Sequence, residues 1–512
     1  MGLRNFYWVA VVVLSLGLLF EWTSEKRDQS IQNHLKEDWS SGFDIGGSHA
    51  YIENDELFVV VAVETGAIVE TRLKKYPVEN VKDAVGFRVF GESKESAFSY
   101  YFNSGFTGVE RSPSYQLASG GVGEDYVELV DEGLGLSKRI SFLPAPYEIS
   151  IFDSSSGGVP GKSFAGLYRT EGKALDLKRE ALSGGMMNNS SYEGIAVSSE
   201  ADPYSTTRLR RVDESQEVLS RSGWIGFIQK YFFAAIIGSD EYIYNYYVLP
   251  KDSGFFRMGY TVEGSSTSNV TYGHEHRLFV GPKIRKDLMQ RADNLELSID
   301  MGWFWFLSQP MVWFMDLLNG YINNWGLTIV VFTIMIKLVF WPVTSKSFRS
   351  MAALRKISPE LNEIKERYKE DRQKSAAETM KVMKKHGANP LGGCLPMLIQ
   401  MPFFIGFFFA LREMVELRHS DLGFWTDLSA PDPYFVLPAI FCFLMVMTQR
   451  LNPQPAGMDA TQAQVMKYMP VMFSVLFIFF PAALCLYTVV NTGVQLAQQS
   501  YLYKQQGALG SD

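Results

Sequence analysis

The fold class this sequence predicts is a polytopic α-helical membrane protein carrying a large all-β sandwich domain. Three observations carry that expectation. Apolar residues are unevenly distributed along the 512-residue chain, with a soluble character over residues 23 to 300 and long apolar runs from 302 to 503. The soluble stretch is built from short Val, Ile, Tyr and Phe runs broken by Gly, Pro, Asp and Ser. A compact, strongly basic stretch then separates the first apolar run of the second half from the next.

The chain opens with Arg4 and the apolar run FYWVAVVVLSLGLLFEW over residues 6–22. Such a run is a signal peptide or an anchor. No small-x-small cleavage site and no lipobox cysteine follows, which favours a retained anchor over 1–22 with its N-terminus in the cytoplasm. Residues 23–300 then form the β domain, whose strands are represented by ELFVVVAVETGAIVETRL (56–73) and EYIYNYYVLP (241–250). The three cysteines, Cys394, Cys442 and Cys485, all lie outside it, so its stability rests on a core and not on disulfides.

Residues 301–323 contain an apolar stretch interrupted by Pro310 and Asp316 and rich in tryptophan, which suits an amphipathic helix lying in the membrane interface. Transmembrane helices are expected over 324–342, 395–412, 434–450, 467–482 and 483–503. The last two come from one apolar region, Tyr468 to Tyr503, whose 36 residues would make about 54 Å of helix where about 30 Å is enough to cross, so a hinge is expected near Pro481. Between 346 and 385 twelve bases face six acids, a local charge of +6 in a chain whose formal charge is −7. Short basic loops remain in the cytoplasm, so 343–394 is a cytoplasmic loop, residues 23–300 lie on the other side, and the tail 504–512 is cytoplasmic.

Within that loop Ser358-Pro359-Glu360 reads as a helix start, with Leu361, Ile364 and Tyr368 as an apolar stripe. Ala376, Met380 and Met383 give a second helix its stripe before Gly387, so a helical hairpin is expected. Its basic surface is a topology signal, and it also suits anionic headgroups, ribosomal RNA or an emerging chain; Arg355, Lys356 and Arg367 are the candidate contacts.

The most informative residue is Lys337, in the run IVVFTIMIKLVFWPV. A charge near the bilayer centre costs on the order of 3 kcal/mol, and no Asp or Glu lies within the core of any predicted span. Helical spacing puts Thr333, Lys337 and Trp341 on one face. The last span offers Tyr487, Thr488, Asn491, Gln495 and Gln498 or Gln499, and Gln400 adds an amide from the third span. Amides of this kind often glue helices together. The uncompensated ammonium instead favours a wet cavity that receives an acidic group from another molecule.

Other chemistry is weakly signalled. SGGVPGKS (156–163) has Ser156 where a phosphate loop needs its first glycine, and the turn reading is preferred. His274-Glu275-His276 sets two imidazoles on one face of a strand, as a metal site would, but a plain strand edge is the preferred reading. No pair of catalytic carboxylates stands out and no cofactor motif is complete, so neither an enzyme nor a cofactor is expected. A solute transporter or channel and a membrane-anchored carbohydrate binder are the rival classes; the absence of intramembrane carboxylates counts against a proton-driven pump.

NWGLTIVVFTIMIK (324–337), the basic hairpin, NPLGGCLPMLIQMPFFIGFFFALR (389–412), LSAPDPYFVLP (428–438) and KYMPVMFSVLFIFFPAALCLYTVVN (467–491) closely resemble the YidC/Oxa/Alb insertases, in the Gram-negative form with a large periplasmic domain. The resemblance implies insertion and folding of nascent membrane proteins, a β-super-sandwich periplasmic domain, a hydrophilic groove among five core helices, work beside the Sec translocon, and an inner-membrane location. It matches Lys337 to a position usually held by arginine; lysine keeps the charge but lacks the planar fork. Thr333 and Gln400 match groove positions, and Tyr487 matches one of an aromatic pair whose second member is Thr488 here. The short tail KQQGALGSD holds one base, so ribosome contact would fall to the loops.

Overall fold

The structure, a computed structural model, describes residues 47–78, 84–91, 98–156, 161–171, 194–208, 214–251, 255–263, 272–299, 301–302, 304–368, 371–386, 395–451 and 460–507. The N-terminal run 1–22 lies outside the described residues, as do Gly387 and residues 157–160. The chain divides into two compact units, one of β structure up to Ser298 and one, mainly helical, from Ile299 onward that also takes in Lys283–Arg285.

The β unit contains β1 (His49–Glu53), β2 (Leu57–Ala62), β3 (Ala67–Pro77), β4 (Gly86–Phe90), β5 (Phe98–Phe106), β6 (Gln116–Gly120) and β7 (Val122–Glu124). There follow β8 (Tyr126–Asp131), β9 (Leu136–Phe142), β10 (Glu148–Ser155), β11 (Ser163–Glu171), β12 (Gly194–Ser198) and β13 (Ser205–Arg208). The remainder are β14 (Gln216–Ser220), β15 (Gly223–Ile228), β16 (Phe232–Gly238), β17 (Tyr244–Lys251), β18 (Phe255–Val262) and β19 (Tyr272–Pro282).

One sheet runs β14-β17-β18-β11-β5-β3-β2-β1-β7 with β4 also on β3, and the other runs β13-β12-β15-β16-β19-β10-β9-β8-β6. Pairing is antiparallel except between β1 and β7. Two-residue periodicity decides which side chains enter the space between the sheets: β8 alternates strictly, with Val127, Leu129 and Asp131 inward. Aromatic contacts join the sheets, Tyr100 on β5 stacking with Phe227 on β15 at 4.5 Å and Phe87 on β4 meeting Phe232 on β16 at 4.2 Å. Gly120 turns β6 into β7 with φ +73°, where a Cβ would stand 2.4 Å from the Tyr126 carbonyl oxygen.

One sequence expectation is corrected here. His274 and His276 do not sit at a sheet edge: β19 is the central strand of its sheet, and both imidazoles are buried between the sheets. His276 meets the Tyr260 hydroxyl at 2.9 Å and the Ser163 hydroxyl at 3.0 Å, beside the buried pair of Lys138 and Asp153. The stretch 156–163, read as a turn, lies partly outside the described residues; at its described end Ser163 opens β11 and Lys162 pairs with Glu263 at 2.9 Å.

After α1 (Arg285–Leu288) the helical unit contains α2 (Trp305–Ile322), α3 (Trp325–Arg367), α4 (Arg372–Lys385), α5 (Leu395–Glu413), α6 (Val436–Leu451), α7 (Ala460–Phe477) and α8 (Ala482–Gln505). Consecutive asparagines make the corner between α2 and α3. Asn323 takes the left-handed conformation that ends one helix, and the Asn324 side chain accepts from Leu327 N at 2.9 Å to start the next. By length and composition, one helix stretch among the described residues, Trp325–Ile364, is long and apolar enough to cross a membrane.

The expected helix start at Ser358-Pro359-Glu360 is also corrected, because α3 runs straight through it and keeps both Pro342 and Pro359 inside. Proline removes one backbone hydrogen bond, but Ile357 and Leu361 on either side are buried against Met383 of α4, and that packing outweighs the local signal. Of the expected α4 stripe only Met383 is buried; Ala376 and Met380 are exposed. Near Pro481 the chain breaks between α7 and α8, and the first free N–H groups of α8 are satisfied by loop carbonyls, Ala482 N to Ala430 O at 2.7 Å and Ala483 N to Leu428 O at 2.9 Å.

Candidate functional site

Lys337 lies on the third turn-and-a-half of α3 and is 6 % exposed. Its ammonium donates to Gln400 Oε1 of α5 at 3.1 Å and to Gln495 Oε1 of α8 at 3.4 Å. Gln400 passes the polarity on, its Nε2 donating to Asn491 Oδ1 of α8. Three helices therefore converge on one cation with three amides. Among the described residues no carboxylate forms an ion pair with Lys337, so its positive charge is solvated by dipoles and is not cancelled.

Hydroxyls at the site are turned to their own helices. Thr333, 1 % exposed, donates to Ile329 O at 2.6 Å, and Thr488, 5 % exposed, donates to Cys485 O at 2.8 Å. Tyr487 is buried against Phe407 at 4.4 Å, and Phe407 in turn stacks on Phe332 of α3 at 5.4 Å and 8°. An aromatic wall thus stands on one side of the amide layer. The residues brought into mutual contact are Lys337, Gln400 and Asn491, with Gln495 added; Thr333, Tyr487 and Thr488 flank them.

A second polar layer lies further along α3. Gln498 of α8, 2 % exposed, donates from Nε2 to Thr344 Oγ1 at 2.8 Å, Ser345 Oγ at 3.1 Å and Trp341 O at 3.2 Å. Thr344 and Ser345 were not singled out from the sequence, although Thr344 stands seven residues, or two turns, beyond Lys337 on the same face. Below this layer Phe348, Met351 and Ala352 pack against Leu502 and Tyr503.

The hairpin cations behave differently from one another. Arg355 donates to Leu451 O at 3.2 Å and holds its guanidinium 5.9 Å from the Tyr503 ring. Lys356 and Arg367 are exposed. A buried pair that sequence reasoning missed, Lys283 with Glu413, joins residues 130 apart, a separation over which no local pattern exists to read.

Among the described residues no three His, Cys, Asp or Glu side chains converge on a point. What the amide layer presents is a buried ammonium held by two amide oxygens. Comparison with known proteins gives the family. Residues 50–314 match the family model described as the YidC periplasmic domain, and residues 317–508 match that described as the 60Kd inner membrane protein. The membrane protein insertase YidC of Azotobacter vinelandii is 35 % identical over 489 residues, covering 90 % of this chain and 85 % of that protein. The chain belongs to the YidC membrane protein insertase family.

The YidC of Pseudomonas putida strain W619 is 36 % identical over 484 residues, covering 89 % of this chain and 83 % of its own. A crystal structure titled as an active YidC insertase with its first transmembrane domain resolved matches with a TM-score of 0.40 and 18 % identity, over 88 % of this chain and 92 % of that one. The β unit is accordingly the YidC periplasmic domain, and Lys337 falls in the region matched by the inner membrane protein model.

Proposed function

We propose that this protein inserts nascent membrane proteins into the inner membrane through a hydrophilic groove centred on Lys337, alone or beside the Sec translocon, and that it performs no covalent step. The observation that carries this reading is the buried ammonium held by Gln400 and Gln495 with no carboxylate partner among the described residues. Such a cation attracts the acidic or polar extracellular tail of a client into a site where water is scarce and electrostatic attraction is strong.

The apolar residues of the client leave along the apolar spans into lipid, where exposed side chains such as Leu338 and Val339 of α3 line the way. Burial of that apolar surface, at roughly 25 cal/mol per Å², supplies the driving energy, and the polar layer shortens the distance over which the tail is stripped of water. Both chain ends lie in the cytoplasm in this reading, the α3–α4 hairpin with Lys356 and Arg367 meets the ribosome or lipid headgroups, and the β unit lies in the periplasm.

The test is photo-crosslinking from position 333 during synthesis of a short membrane protein with an acidic extracellular tail. Nascent-chain adducts that weaken severalfold on Lys337→Ala are expected. Insertion that proceeds normally without adducts would overturn the groove reading.

A further inference from the structure

The outward face of the ten-stranded sheet carries a feature that neither the sequence motifs nor the groove accounts for. On adjacent strands Leu249, Arg257, Tyr168 and Tyr101 stand side by side in register, Leu249 opposite Arg257, Arg257 opposite Tyr168 and Tyr168 opposite Tyr101. Alternation sends their neighbours Val248, Met258, Leu167 and Phe102 into the core, so this row points away from it.

Arg257 is enclosed on three sides by rings. Its guanidinium carbon lies 5.2 Å from the Phe164 centroid and 5.3 Å from those of Tyr168 and Tyr247. The Nε donates to the Tyr247 hydroxyl at 2.9 Å. Paired glycines make this possible: Gly166 and Gly259 face each other across β11 and β18, and a Cβ on Gly166 would stand 3.4 Å from the Tyr247 hydroxyl and 3.2 Å from the Tyr168 ring. Tyr247 therefore lies across two strands that offer no side chain, and reaches Arg257 from the side.

Among the described residues Arg257 makes no ion pair; Glu217, an exposed acid two strands away on β14, accepts instead from Asn245 Nδ2 at 3.2 Å. The guanidinium is thus oriented by rings and by the Tyr247 hydroxyl at Nε, with the Tyr168 side chain as a second hydrogen-bond partner, and its five N–H groups outnumber those two partners, so donors remain for a carboxylate. Next to it Tyr168 and Tyr101 stack face to face at 4.6 Å and 3°, a partly exposed pair that presents ring edges along the row. Four strands at about 4.8 Å spacing make the row about 14 Å long, the reach of roughly four extended residues.

We propose that this row is a binding site for an extended acidic polypeptide segment, one carboxylate pairing with Arg257 and a neighbouring apolar side chain packing against the edges of the Tyr168–Tyr101 stack. The choice of a polypeptide rests on the insertase reading, which brings acidic tails to the side of the membrane where the β unit stands; the charge and the stack are independent of it.

The test uses the full chain in phosphatidylcholine nanodiscs and a fluorescent, end-blocked octapeptide with a glutamate two residues to either side of a phenylalanine. The glutamate peptide is expected to bind at least tenfold more tightly than its glutamine counterpart. Arg257→Gln should abolish that difference, Arg257→Lys should keep only part of it, and Tyr168→Ala should weaken both peptides. Lys162→Gln, which removes one positive charge without touching the row, should leave the affinities unchanged. Equal affinity for the two peptides, or full affinity in Arg257→Gln, overturns the site. Displacement of the peptide by oligogalacturonate at a lower concentration than the unlabelled peptide itself requires overturns the polypeptide assignment in favour of an acidic glycan. No insertion step enters this measurement, so absence of adducts at position 333 and absence of peptide binding here are separate failures.

Discussion

Lys283 and Glu413 form an ion pair at 2.7 Å with each side chain only 1 % exposed. Arg412 adds a second cation 3.4 Å from the other carboxylate oxygen. Breaking a buried pair leaves one charge stranded, which costs about 3–5 kcal/mol, whereas replacing both partners by apolar groups is often neutral. Lys283→Met and Glu413→Gln are each expected to lower the thermal midpoint of the detergent-solubilised chain markedly. The double substitution Lys283→Met with Glu413→Leu should recover much of the loss. A double variant as unstable as the sum of the singles would show that the pair is not the source of the effect.

Lys337 is expected to matter in proportion to the acidity of the client. Lys337→Ala should reduce insertion of a client with an acidic tail by about tenfold, the equivalent of about 1.4 kcal/mol, and affect a neutral-tailed version much less. Lys337→Arg should retain most activity because the charge remains. Insertion measured by protease protection of the two tails decides this, and equal defects for both would make Lys337 a packing residue.

The β unit should lose stability in mild acid. Burial holds His274 at about 4 and His276 well below the ordinary histidine range. Both are therefore neutral when folded, while the unfolded chain takes up protons below about 6.5. The unfolded state binds more protons in the window from 6.5 down to about 4, so stability conferred by these groups is complete above 6.5 and falls as pH drops, by about 1.4 kcal/mol per pH unit for each histidine fully involved. Burial raises Asp153, which opposes the trend by taking up a proton earlier in the folded state. Urea midpoints at pH 7.5 and 5.0 should differ in the native chain and differ less in His274→Asn. A midpoint that does not change with pH would remove the histidines from the account.

Asp432 starts α6 by accepting from Leu437 N at 2.7 Å and Tyr434 N at 3.0 Å while 2 % exposed. Loss of such a cap typically costs about 1 kcal/mol, and at a buried site the two orphaned donors add to that. Asp432→Ala is expected to destabilise by about 2 kcal/mol, and Asp432→Asn, which keeps one acceptor, by less. Proteolysis in the 414–435 loop of the folded chain should quicken in the same order.

Legibility followed the range of the interaction. Strict alternation along Tyr126–Asp131 is a local signal, and the β character of residues 23–300 could be read from it. Lys337 announced itself because a charge in an apolar run is unusual whatever surrounds it. Its partners were visible as a polar stripe, but that Gln400 and Gln495 reach it across 63 and 158 residues depends on how three helices pack. The same parity that put His274 and His276 on one face was silent on strand order, so the centre of a sheet read as an edge. At Ser358-Pro359-Glu360 a good local start signal lost to the burial of Ile357 and Leu361 within one continuous helix.

The uninterrupted α3 has a mechanical consequence. Between Lys337 and Leu361 lie 24 residues, a stiff arm of about 36 Å. A pivot of 10° about the Lys337 layer carries the hairpin end through about 6 Å, while side chains beside the pivot move by less than 1 Å. Pro342, one turn past Lys337, has no N–H to give the preceding turn, so the arm bends most easily there. A push on the hairpin is thereby geared down, large at Leu361 and small where the ammonium meets Gln400.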